Sequence, residues 1–178
     1  MPEEQSHPAF EWNAERLWPQ FARLADAEPD ALALADCGDR LWSRAELRGQ
    51  AVEIAALLKA ARVGPGDRVL VTAHKSPATI ATALAISSLQ AIFCPVSPKL
   101  GTGDLAALES LLGHAAKLSG TGSALPDVAA VSGKRSTDPR DRNAALIGFT
   151  SGSTGVPKAA FTLASVAAAA VNSLDKGV

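Results

Sequence analysis

A run of ten residues ending at position 158 combines the residue types that hold phosphate groups. Its sequence is Phe149-Thr150-Ser151-Gly152-Ser153-Thr154-Gly155-Val156-Pro157-Lys158. Glycine lets the backbone approach a ligand closely and adopt positive φ, and hydroxyl groups add short hydrogen-bond donors. The terminal lysine supplies a positive charge that can follow a polyphosphate. The run therefore predicts a phosphate-binding loop made by Thr150, Ser151, Gly152, Ser153, Thr154, Gly155 and Lys158.

The segments on either side of this loop must position it. The apolar run 144–149 predicts a buried strand that delivers the loop at its carboxyl end, and the alanine-rich segment 161–174 predicts a helix. Two common nucleotide-binding patterns are excluded. The P-loop pattern needs a Gly-Lys pair, which this loop lacks, and the spacing of Gly152 and Gly155 does not fit Gly-x-Gly-x-x-Gly.

The alternative interpretation of these residues is a surface turn rich in serine and glycine. The length of the match argues against it. The run resembles the phosphate-binding signature of the adenylate-forming superfamily, Tyr/Phe-Thr-Ser-Gly-Ser-Thr-Gly-x-Pro-Lys-Gly. That superfamily includes acyl-CoA synthetases, the adenylation domains of peptide synthetases, and luciferases. The one departure is Ala159, which stands where the family has its last glycine.

Two further segments are similar to the same family. Residues 63–69 match its Gly-x-x-Pro-Gly-Asp-x-Val entry to the first parallel strand, and residues 91–98 match the end of its next strand. The departures are Gln90, where the family usually has glycine, and Ser97, where it has asparagine. The resemblance covers about 17–174, which is nearly the whole chain.

The resemblance implies a reaction in which a carboxylic acid attacks the α-phosphate of ATP, with Mg²⁺ present, to give acyl-AMP and pyrophosphate. A thiol such as coenzyme A then takes the acyl group, as in an acid–CoA ligase. The loop would hold the β- and γ-phosphates, and Lys158 would stabilise charge on the leaving pyrophosphate. A module that binds phosphate or nucleotide without catalysis, or an inactive remnant, remains the alternative.

In this family the groups that bind adenine, ribose and Mg²⁺ lie downstream of the loop, as does a mobile C-terminal domain. The resemblance therefore implies that residues 1–178 are the amino-terminal portion of an adenylation domain. It also implies that the partners are ATP, a carboxylic acid and the remainder of the enzyme. Because later strands would be needed to cover the sheet, self-association of the chain is also expected.

Composition places the chain among globular proteins of one-domain length. Its 178 residues are 47% hydrophobic and carry a formal charge of −1, so there is no electrostatic footprint for nucleic acid or an anionic membrane. Residues 1–7 lack the apolar core of a signal peptide, and no apolar stretch is long enough to span a bilayer. Cys37 and Cys94 have no metal-ligand spacing and are interpreted as reduced thiols. A cytoplasmic protein is predicted.

The order of elements predicts an α/β fold with a parallel sheet, because residues 68–96 form a strand, helix, strand unit. Pro95 predicts an edge, an end or a bulge in its strand. A helix beginning at Asn13, or near Trp18 with proline in its first turn, opens the chain.

The charged segment 133–143 predicts an exposed linker. His74 follows a strand end and is either a substrate contact or a surface histidine. The remaining predicted helices are 44–61, 77–90 and 104–116, and the predicted strands are 31–36, 40–42, 68–73, 91–96, 117–119 and 144–149.

Overall fold

A six-stranded mixed sheet with helices on both faces forms the centre of the computed structural model. The structure describes residues 16–36, 38–120, 125–133, 135–150 and 158–163. The helices are α1 (Leu17–Ala27), α2 (Arg44–Ala60), α3 (Pro77–Ser88), α4 (Thr102–Leu112) and the 3₁₀ helix η1 (Pro139–Arg142). The strands are β1 (Leu32–Ala35), β2 (Leu41–Ser43), β3 (Arg68–Thr72), β4 (Ile92–Val96), β5 (Ala116–Ser119), β6 (Asp127–Ala130), β7 (Ala144–Thr150) and β8 (Lys158–Leu163).

The strand order of the large sheet is β6-β5-β3-β4-β7-β8. Its four inner strands, β5, β3, β4 and β7, are parallel, whereas β6 and β8 pair antiparallel at the two edges. The predicted parallel α/β fold is therefore confirmed for the centre of the sheet. The strands predicted over 31–36 and 40–42 are confirmed as well, since β1 and β2 form a separate antiparallel hairpin.

Local signals in the sequence explain where the helices begin. The Oγ of Ser43 accepts from the Glu46 N–H at 3.1 Å, and the Glu46 carboxylate accepts from the Ser43 N–H at 2.8 Å, which completes a capping box for α2. Ser76 caps α3 ahead of a proline at the first helical position. The first helix begins at Leu17 with Pro19 in its first turn, as in the second predicted alternative. Asn13 lies outside the described residues.

The core consists of two layers of buried side chains, one on each face of the sheet. Val69 and Val71 point to the face covered by α2 and α3, while Leu70 points to the face covered by α4. All three are fully buried, as expected for a parallel strand covered on both sides. In the part of the chain that the structure describes, no helix has the length and apolar character needed to cross a membrane.

One prediction about elements is wrong in part, and the structure selects among the alternatives for another. The helix predicted over 161–174 is wrong for residues 161–163, because these belong to β8, and the rest of that segment lies outside the described residues. Phe161 and Thr162 are strand-forming residue types, and their pairing with β7 overrides the helix propensity of the neighbouring alanines. Pro95 is not on an edge strand. It lies one residue before the end of the interior strand β4, so the strand-end interpretation is confirmed.

Candidate functional site

The predicted loop connects two paired strands at the carboxyl end of β7. Thr150 is the last residue of β7, Lys158 is the first residue of β8, and their Cα atoms are partners in the antiparallel ladder. The structure therefore brings these two predicted site residues together, with the connecting segment 151–157 between them. The other predicted site residues, Ser151, Gly152, Ser153, Thr154 and Gly155, lie outside the described residues.

The carboxyl ends of β3 and β4 open at the same edge of the sheet as the loop. Phe93 of β4 pairs with Leu146 of β7 in the parallel direction, so the carboxyl ends of β4 and β7 lie at the same edge. On the other side, the Ala73 N–H donates to the Val96 carbonyl at 2.9 Å. In open α/β sheets, ligands bind outside the carboxyl ends of the strands. The geometry makes this edge the candidate site.

Exposed basic residues follow or begin several strands at this edge. His74 and Lys75 follow β3, Lys99 follows β4, and Lys158 begins β8, and all four residues are exposed. Adjacent strands are about 4.8 Å apart, so flexible lysine side chains from neighbouring strand ends can approach one extended ligand. These basic side chains can approach a polyanion at this edge. His74 lies at the predicted place, and its role as a substrate contact stays a prediction.

A second group of charged residues lies at the amino end of the inner strands. Arg68 begins β3, and its Nε lies 3.1 Å from both carboxylate oxygens of Asp141, while its Nη1 donates to the Leu112 carbonyl at 2.9 Å. Asp141 belongs to η1 and is buried. The segment 133–143 was predicted as an exposed linker, and this buried carboxylate is a correction to that prediction. Sequence reasoning missed it because the partner of Asp141 is distant in the chain.

The same group contains Asp138, whose carboxylate accepts from Arg140 at 2.9 Å and lies 3.7 Å from the Arg68 guanidinium. The Arg140 hydrogen bonds lower the pKa of Asp138 to about 2. The Arg140 side chain is largely exposed, and its guanidinium carbon lies 4.1 Å from the centre of the Phe161 ring. This cation–π contact joins η1 to β8.

The buried thiol of Cys94 takes no part in the candidate site. It is fully buried in β4, and burial raises the pKa of this thiol to about 12, so the group is neutral at physiological pH. Among the described residues, no group of three or more His, Cys, Asp or Glu side chains could hold a metal ion. Cys37 lies outside the described residues.

Comparison with known proteins identifies the class to which this fold belongs. A family model described as AMP-binding enzyme matches residues 21–115, just over half of the chain. The chain therefore belongs to the AMP-binding enzyme family, as the resemblance implied. The matched range ends before Thr150, so this result is independent of the phosphate-binding signature.

The relatives are much longer proteins, and the region that matches this chain is a small part of each. The chain is 42% identical over 85 residues to phenyloxazoline synthase MbtB of Mycolicibacterium paratuberculosis, covering 47% of this chain and 7% of that protein. It is 33% identical over 162 residues to the hybrid PKS-NRPS synthetase thnA of Trichoderma harzianum, covering 79% of this chain and 4% of that protein. The chain thus spans only a small part of the length of these relatives.

Among solved structures, the fold is similar to that of the Klebsiella oxytoca NpsA N-terminal subdomain in complex with 3-hydroxybenzoyl-AMSN. The TM-score is 0.64 at 23% identity, covering 84% of this chain and 41% of that chain. The likeness shows that the described elements adopt the fold of the N-terminal subdomain of adenylation enzymes.

Proposed function

We propose that this chain supplies the pyrophosphate-binding part of an enzyme that activates a carboxylic acid with ATP to give an acyl-adenylate. The pairing of Thr150 with Lys158 at the carboxyl edge of the sheet carries the proposal. It puts both ends of the signature loop beside the strand ends where open α/β sheets bind ligands. Membership of the AMP-binding enzyme family supports the same reaction class.

In the proposed reaction, a carboxylate oxygen of the acid attacks the α-phosphorus of ATP. The bond between this phosphorus and the oxygen that bridges to the β-phosphate breaks, and pyrophosphate leaves with the electron pair. The protein needs no nucleophile of its own, because the substrate supplies it. Its task is to hold the phosphates and to stabilise charge that develops on the leaving group.

We assign that task to the loop. Lys158 would donate to the β- and γ-phosphate oxygens, which gives a charge-assisted contact that strengthens as negative charge builds on pyrophosphate. Backbone N–H groups near the two glycines, together with the hydroxyl groups, would supply the remaining donors. Bound Mg²⁺ would neutralise part of the phosphate charge, with ligands from outside the described residues. The proposed loop donors are Thr150, Ser151, Gly152, Ser153, Thr154, Gly155 and Lys158.

The proposal also includes the thiol that accepts the activated acyl group. The matched relatives are a phenyloxazoline synthase and a hybrid PKS-NRPS synthetase. They support adenylation of the peptide-synthetase kind, in which the thiol belongs to a carrier protein, ahead of an acid–CoA ligase that uses coenzyme A. A cytoplasmic location remains part of the proposal.

We further propose that residues 1–178 form the amino-terminal portion of the adenylation domain and act together with the remainder of the protein. The position of β8 supports this, because it is an edge strand among the described residues, Lys158, Ala159 and Ala160 are exposed, and a strand edge needs cover. The remainder of the protein is the favoured cover, and a second copy of the chain is the alternative.

Exchange of labelled pyrophosphate into ATP tests the proposal. The complete gene product is assayed with a panel of carboxylic and amino acids, and we expect exchange that depends on one class of acid. Coenzyme A and a carrier protein are then compared as acceptors for the acyl group. Binding of ATP without exchange for any acid would favour a non-catalytic nucleotide-binding module. If the protein neither binds ATP nor catalyses exchange, it is an inactive remnant. Either of these two results would overturn the proposal.

A further inference from the structure

Two arginines from different parts of the chain lie over the ring of Phe161. The guanidinium carbon of Arg140 is 4.1 Å from the ring centre, and that of Arg68 is 5.5 Å from it. Both distances are within the range in which a cation is attracted to the electron-rich face of an aromatic ring. Phe161 is the fourth residue of β8, the strand that Lys158 begins.

Carboxylates hold both arginines in place. Asp141 binds Arg68 through both of its oxygens, and the two side chains are only 8% and 10% exposed. Asp138 accepts from Arg140 at 2.9 Å and also lies 3.7 Å from Arg68, so it joins the two guanidinium groups. Buried partners therefore hold Arg68, and Asp138 joins Arg140 to it.

The strand that carries Phe161 is held by its antiparallel ladder with β7 and by few buried side chains of its own. It lies at the edge of the sheet, and of its six residues only Phe161 and Thr162 are half-buried. Phe161 also packs on the core layer that contains Ile147, its partner in β7. In a strand, a slip of one residue turns every side chain to the opposite face. Such a slip in β8 would remove the ring from the arginines and displace Lys158 from Thr150.

We propose that Phe161, held by Arg140 and Arg68, is a positioning residue that fixes the register of β8 and so keeps Lys158 opposite Thr150. The inference rests on the proposed function, because the register of β8 matters here only if Lys158 binds the phosphates of ATP. It predicts that a contact at the amino end of the sheet controls the affinity for ATP at the carboxyl end.

The test measures the KM for ATP in the exchange reaction of the complete gene product. Phe161→Leu keeps an apolar side chain and removes the ring, and we expect the KM for ATP to rise about tenfold while the KM for the acid changes less than about twofold. Phe161→Tyr keeps the ring and should restore the parent value. Phe93→Leu is the matched control, since Phe93 packs on the opposite face of the sheet.

Arg140→Gln gives a second variant that is expected to fold, because the Arg140 side chain is 63% exposed. Its KM for ATP should rise about threefold or more, as expected when one cation is withdrawn from the ring. A double-mutant cycle then asks whether the effect passes through Lys158. On a Lys158→Ala background, Phe161→Leu should cause no further rise, whereas independent effects would multiply.

The proposal is overturned if Phe161→Leu and Arg140→Gln both keep the parent KM for ATP, or if the effects of Phe161→Leu and Lys158→Ala multiply. Absence of exchange in the parent protein would instead reject the proposed function. In that case amide hydrogen exchange across 158–163 decides the positioning claim. Faster exchange in Arg140→Gln than in the parent supports it, and equal rates overturn it.

Discussion

Arg68 and Asp141, which are 73 residues apart in the sequence, form a buried ion pair between the first residue of β3 and η1. The Nη2 of Arg68 lies 2.9 Å from the Asp141 carboxylate, and the Nη1 of Arg68 donates to the carbonyl of Leu112. This pair fastens the segment before β7 to the centre of the sheet. It therefore helps to set where β7 begins and, seven residues later, where the loop begins.

Removing one member of this pair should be strongly destabilising. Asp141→Ala leaves a buried guanidinium without its carboxylate, and we expect the free energy of unfolding to fall by about 3–5 kcal/mol. Replacing both residues with apolar ones, as in Arg68→Met with Asp141→Leu, should recover most of this loss. Urea denaturation of the parent protein and the two variants checks the prediction. A loss below about 1 kcal/mol for Asp141→Ala would show that the pair is not a structural anchor.

Gln90 occupies a backbone position that glycine would occupy at lower cost. Its φ is 57°, and it follows α3 in a Schellman arrangement, with the Gln90 N–H donating to the Ser87 carbonyl and the Ala91 N–H to that of Ile86. Gln90→Gly should raise the free energy of unfolding by about 1 kcal/mol, because it removes left-handed strain from a residue with a Cβ. Chemical denaturation measures this.

The control for Gln90 is Glu53→Gly, which places glycine on an exposed position inside α2. This change should lower the free energy of unfolding by about 1 kcal/mol, so the two glycine variants should differ in sign. Equal losses in both variants would contradict the strain argument at Gln90. A higher free energy of unfolding in Gln90→Gly would also explain, in physical terms, the glycine that the sequence comparison led us to expect at this position.

His114 should make the stability depend on pH in the slightly acidic range. Burial lowers its pKa, and the neighbouring Glu109 and Lys117 act in opposite directions. A buried imidazole stays neutral in the folded protein where the unfolded chain takes up a proton, so unfolding binds protons near pH 6.5 and below. The free energy of unfolding should therefore fall as the pH is lowered from 7.5 to 5. His114→Gln should reduce this dependence, measured by denaturation at both pH values, and an unchanged slope would rule out His114 as its source.

Lys75 and Lys99 should attract ATP through their charge. Both follow inner strands at the edge where the loop begins. Charge reversal in Lys75→Glu and Lys99→Glu should raise the KM for ATP severalfold at low ionic strength, and the effect should shrink as salt is added. Lys59→Glu is the matched control, because Lys59 lies at the end of α2 that leads to the amino end of β3. An equal effect of all three reversals would indicate only diffuse electrostatics.

The parts of the fold that depend on local signals could be predicted from the sequence. The capping box at Ser43, the Ser-Pro start of α3 and the apolar strands of the inner sheet need only neighbouring residues. The strand β8 could not be predicted in the same way, because alanine favours a helix and the pairing that overrides this involves Ile147 of β7. The burial of Asp141 could not be predicted either, because its partner Arg68 is 73 residues away in the sequence.

The same distinction holds for the candidate site. The order of residue types alone indicates Thr150 and Lys158, and the structure pairs them in the ladder of β7 and β8, while their binding of phosphate stays a prediction. The basic residues Lys75 and Lys99 could not be assigned to this edge without the sheet order, because only the parallel pairing of β3, β4 and β7 brings their strand ends together.

The central claim is that Lys158 binds the phosphates that leave as pyrophosphate, and one comparison tests it directly. Acid-dependent exchange of pyrophosphate into ATP is measured for the complete gene product, for Lys158→Ala and for Lys59→Ala. Loss of a charge-assisted contact of about 1.5–3 kcal/mol should lower the exchange rate of Lys158→Ala by about 10- to 150-fold. Lys59→Ala should match the parent. Exchange by Lys158→Ala at the parent rate, or an equal loss in Lys59→Ala, would contradict the assignment of the loop as the pyrophosphate site.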